Sequence, residues 1–141
     1  MKHKGSCFEY EKERNEDLMQ NYRSILLSSS KIVSPDVFCQ LVNRPSKRFW
    51  VSEERTAIVL ARMIKGDTLD SMRSNTREMF YEIFRRAKIF METHEYMSLE
   101  QVSYHVIRQK APKFYLTPAT AYAIIRKYKK QFFKKHSRHR P

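Results

Sequence analysis

The sequence predicts an all-α protein, and three observations carry that prediction. Apolar residues recur at helical spacing in six segments, capping residues stand ahead of several of them, and a shift of 65 residues lays the first three segments on the last three. The expected architecture is two tandem three-helix units, helix-turn-helix-like and packed as one domain.

Within residues 14–27, Leu18, Met19, Tyr22, Ile25 and Leu26 share one face. Ser34 with Pro35 opens a second helix, whose apolar face is Val37, Phe38, Leu41 and Val42. Ser52 opens a third that runs to Lys65, with Gly66 as its stop. Asn75 and Glu78 form a capping-box signature for a fourth, with a stripe from Met79 to Met91. Ser98 and Gln101 do the same for a fifth, which carries Val102, Val106 and Ile107. Thr117-Pro118 opens a sixth, expected to fray after Phe133.

Under the 65-residue shift, Arg48-Phe49-Trp50-Val51-Ser52 falls on Lys113-Phe114-Tyr115-Leu116-Thr117. Strict identities are few, essentially Val37/Val102 and Phe49/Phe114, so the match is one of pattern. The expected organisation is a flexible N-terminus (1–13), a first unit (14–66), a linker (67–75), a second unit (76–133) and a basic tail (134–141). Arg48–Arg55, Arg77–Phe80 and Ala111–Pro118 resemble a family of short basic proteins of unknown function from Bacteroides-type bacteria. The resemblance covers most of the chain after about residue 15 and implies a bacterial protein, with no activity to carry over.

Composition narrows the function classes. Among 141 residues, 41% are hydrophobic, enough for a core. Gly5 and Gly66 are the only glycines, which excludes a glycine-rich phosphate loop. Cys7 and Cys39 form no metal or redox spacing, so free thiols in a reducing compartment are expected. Basic Met1–Lys4 is followed by the charged run Glu9–Asp17, not by an apolar stretch, so no secretory signal is read. The expected location is cytoplasmic. The longest run free of charged side chains, Phe114–Ile125, is too short to span a membrane. The acids form no recognisable catalytic pair, and no cofactor or metal site is expected.

Charge is the strongest signal. Of the net +13, residues 107–141 supply +11, with no Asp or Glu among them. Such a segment suits an external polyanion. The expected function is non-catalytic nucleic-acid binding, with duplex DNA favoured over RNA. Cationic contacts would come from Arg108, Lys110, Lys113, Arg126, Lys127, Lys129, Lys130, Lys134, Lys135, Arg138 and Arg140. Thr117, Thr120 and Tyr122 at the start of the last helix would meet bases. Tyr115 belongs to the same candidate surface, and with Trp50 it supports a second reading, RNA or single-strand binding in which the aromatic–basic connections stack unpaired bases. A third is a helical adaptor docking an acidic protein partner; the first unit, whose corresponding helix opens with Glu53-Glu54, is expected to be scaffold or a surface for a protein partner. One feature departs from a helix-turn-helix: the connection before the last helix is about eight residues, against three or four.

Overall fold

The protein is described here from a computed structural model covering residues 10–28 and 34–137, with backbone only for 34–36 and 131–137. Among these residues six α-helices form: α1 Glu11–Ser28, α2 Ser34–Val42, α3 Glu53–Ile64, α4 Ser74–Thr93, α5 Leu99–Ile107 and α6 Pro118–Ser137. No strand forms among them, only an isolated antiparallel bridge between Ser46 and Ala111. The chain is all-α.

Several boundaries follow from cap chemistry. Ser52 accepts the Arg55 N–H through its hydroxyl at 3.1 Å, and α3 ends before Gly66, whose φ of +105° suits a residue without Cβ. Ser98 and Gln101 make the reciprocal capping box in full. The Asn75 cap does not form: α4 starts at Ser74, behind an extended Arg73 that makes no side-chain cap. Arg77 in that first turn meets Asp70 at 3.7 Å across the incoming loop. α1 starts at Glu11 because the Tyr10 carbonyl takes the Arg14 N–H, and the Tyr10 ring packs on Trp50 with centroids 6.0 Å apart. The cap expected from the Ser34 side chain lies outside the described residues.

The helices do not group in chain order. α3 packs on α4 and α5, whereas α6 packs on α1 and α2. Two separate cores result. Phe49, Val59, Leu60, Phe80, Ile83, Val102 and Ile107 lie in one, and Leu18, Ile25, Leu41, Phe114, Ala121 and Ile125 in the other. The third helix of each expected unit therefore closes the other helix pair. The eight-residue connection has its reason here, since a segment of that length reaches up to about 28 Å, far more than a tight turn needs.

The two connections cross at the Ser46–Ala111 bridge, exchanging N–H···O bonds of 3.0 Å in both directions. Phe49 N–H donates to the Ile107 carbonyl at 2.9 Å, and Phe114 N–H donates to the Val42 carbonyl at 3.0 Å. Each of these bonds has its counterpart 65 residues away in both donor and acceptor. Each phenylalanine is buried in the core across the crossing, at 1% and 4% exposure. Side chains fasten the connections further. Buried Asp17 accepts the Lys47 N–H at 2.9 Å, tying the first connection to α1. Arg86 donates to the Lys110 carbonyl at 2.8 Å, tying the second to α4.

Candidate nucleic-acid interface

α6 is anchored by one face and leaves the other open. Thr117 caps it, its hydroxyl oxygen accepting the Thr120 N–H at 3.1 Å while its proton goes to the Thr120 hydroxyl at 2.9 Å. Ala121 and Ile125 are buried against α1 and α2, with Ile124 and Tyr128 half-buried beside them. Ala119, Thr120, Tyr122, Ala123, Arg126, Lys127, Lys129 and Lys130 are exposed. The helical period thus puts four described cations on the solvent face, beyond two turns of small or uncharged residues.

Those cations are differently placed. Among the described residues, Arg126, Lys127 and Lys130 form no ion pair. Lys129 sits over the Tyr22 ring at 4.9 Å and donates to its hydroxyl at 3.4 Å, which fixes the ammonium without neutralising it. Tyr122 is half-exposed, with its ring edge-on to Phe38 at 5.2 Å. A groove of about 670 Å³ runs between the start of α1 and α6, with Lys12, Arg14, Thr120 and Lys127 along it. Glu11 also lines it, so its charge is mixed.

The chain matches no family model, no curated protein and no solved structure. Its chemistry is read from its own residues alone.

Residues 108–140 read as one cationic surface in the sequence, and the structure divides them. Arg108 caps α5, where its guanidinium lies 3.8 Å from the Tyr104 ring centroid and 3.9 Å from Glu53. Lys113 makes a 2.6 Å ion pair with Glu78 and lies near the Tyr115 ring. These two charges are answered internally. Lys110 is exposed on the crossing, apart from the α6 face. Arg138, Arg140 and the side chains of Lys134 and Lys135 lie outside the described residues.

Tyr115 turns the chain into α6 with a φ of +58°, a conformation costly for a bulky residue. Its ring stacks on Phe49 at 6.1 Å between planes 20° apart. Burial, with added repulsion from Glu82 and Glu78, pushes its phenol up to about 12. Trp50 is enclosed by Tyr10 and by Arg48, 5.3 Å over its ring. Both aromatics thus have protein neighbours on their rings, which leaves less surface for a stacked base.

Sequence reasoning missed Lys12, Arg14 and Tyr22, the α1 residues that flank or support the cations of α6. The signal was hidden, because Glu11, Glu13 and Glu16 around them make α1 look neutral, and nothing in the sequence says α6 lies on it. No helix of the described residues is long and apolar enough to cross a membrane.

Proposed function

We propose that the protein is a non-catalytic nucleic-acid-binding protein that holds duplex DNA on the open face of α6. The observation carrying this reading is the set of exposed cations Arg126, Lys127 and Lys130, unpaired among the described residues and aligned with Lys129 on a helix whose other face is buried. Such a row would displace the counterions condensed on the phosphates of a duplex.

The local geometry supports a helix-turn-helix-like approach assembled from distant chain segments. The end of α2 meets the start of α6 through the Phe114–Val42 hydrogen bond, and only residues 115–117 stand between that bond and the helix. That separation matches the short turn the motif needs, although the chain between 42 and 114 makes the other lobe. Thr117, Thr120 and Tyr122 would then face base edges. In this reading the 65-residue correspondence marks two copies of one unit, of which the second carries the binding face, and a cytoplasmic bacterial setting goes with it.

The test is binding to labelled duplex DNA, single-stranded DNA and RNA of one length across a salt series. Four engaged cations give a log–log slope of about −3.6 for duplex. The variant Arg126→Ala/Lys127→Ala/Lys130→Ala should flatten it by about 2.7. An unchanged slope in that variant sinks the assignment to α6, and tighter binding to RNA than to duplex sinks the choice of DNA.

A further inference from the structure

The counterpart of α6 in the other lobe, α3, opens with Glu53 and Glu54 where α6 has no acid in its first turn. Between α3 and the start of α5 runs a groove of about 700 Å³ with Ile58, Ala61 and Leu99 on its floor and Glu53, Glu54 and Glu100 around it. Ile58 is 55% exposed, while its neighbours Val59 and Leu60 are fully buried. A large aliphatic side chain ringed by three carboxylates fits an apolar, cationic partner surface better than bulk water. Among the described residues, only Glu53 of the three has a cationic partner, the 3.9 Å contact with Arg108.

The same chain carries the complementary surface. On α6, Ala119, Ala123, Arg126 and Lys130 follow one another at helical spacing along the solvent side, with Lys127 beside them, and all are exposed. The two alanines leave room for Ile58 to approach the helix backbone, and the cations beyond them would meet the glutamates of the groove. Elsewhere the net charge of +13 opposes association, but screening over about 8 Å at physiological salt confines that repulsion while contacting charges still pair.

We propose that the acid-rimmed groove between α3 and α5 is a docking site for α6 of a second copy of this chain. The contact is heterologous, joining unlike surfaces of two copies. Exposed ion pairs are individually weak, so it forms appreciably only at high local concentration. A second copy and nucleic acid would compete for the same cations, so binding of either releases the other.

Sedimentation equilibrium of the full chain, freed of nucleic acid, tests this. The weight-average mass should rise above 17.1 kDa with concentration at physiological salt, where the net repulsion is screened, and return to it at about 1 M salt, where the contacting pairs are screened as well. Glu54→Lys/Glu100→Lys should be monomeric, and so should Arg126→Glu/Lys127→Glu, although the latter has the lower net charge. Both pairs are exposed, and circular dichroism checks that the variants stay helical. Mixing the two variants should restore association, because the reversed groove then meets a reversed helix. A wild type that stays monomeric throughout overturns the proposal. So does association that survives reversal of the groove, or a mixture that fails to associate. None of these readouts involves nucleic acid, so the DNA reading stands or falls separately.

Discussion

Phe49→Ala probes the exchange of third helices directly, because Phe49 belongs to the first half of the sequence but to the core of α3, α4 and α5. The ring is 1% exposed, has the Arg86 guanidinium 4.9 Å from its centroid and stacks on Tyr115. Removing such a side chain costs about 3–5 kcal/mol, a large part of the roughly 5–15 kcal/mol that holds a domain of this size together. The loss should fall on one lobe, since the helices of the two lobes do not pack extensively and their main link is the crossing. Native-state hydrogen exchange read by mass spectrometry resolves this. Amides of α3–α5 should exchange on the order of 100 to several thousand times faster, while those of α1 and α2 change little. Phe114→Ala should do the reverse, exposing α1, α2 and α6. If Phe49→Ala instead loosens α1 and α2, or accelerates every helix alike, the grouping of α3 with α4 and α5 is refuted.

Other outcomes follow from single contacts. Ser98→Ala removes one side of the capping box and should cost about 1 kcal/mol in denaturant unfolding, with the loss of protection centred on α5. Tyr115 has a folded pKa near 12 against 10 unfolded, so its contribution is whole below pH 10 and disappears as pH rises toward 12. Tyr115→Phe should flatten that alkaline decline, and ultraviolet titration of the native protein should lose its late-titrating phenolate. Arg85, then Arg86, holds the Glu82 carboxyl below its usual range. Its contribution is therefore present above about pH 4.5 and lost as pH falls through the depressed value. Glu82→Gln should lower the melting temperature near neutrality, by an amount that shrinks on acidification. Asp17→Ala leaves the Lys47 N–H without its carboxylate and should cost about 1–3 kcal/mol.

Much of the fold was legible because its signals are local. Ser52, Ser98 and Thr117 cap helices where hydroxyls precede apolar stripes, and Gly66 stops one where only a positive φ will do. Periodicity identifies which face of α3 or α6 is buried but not which helices bury it. Both patterns suit packing within their own half equally well, and only the long connection hinted otherwise. The cations of α6 were legible for the same local reason. The neutralisation of Arg108 by Glu53 and of Lys113 by Glu78 was not, since those acids lie in distant helices brought near by the crossing.

The crossing also sets an order of assembly on the ribosome. α3, α4 and α5 are contiguous, so their core can close while the remainder of the chain is still being made. α1 and α2 emerge first yet must wait for α6, about a hundred residues later, before Leu18, Ile25 and Leu41 are covered. A nascent chain cut short before α6 keeps one finished bundle and an uncovered apolar pair, the form that protein quality control removes. The exposed cations Arg126, Lys127, Lys129 and Lys130 thus arrive with the helix that covers the α1–α2 pair.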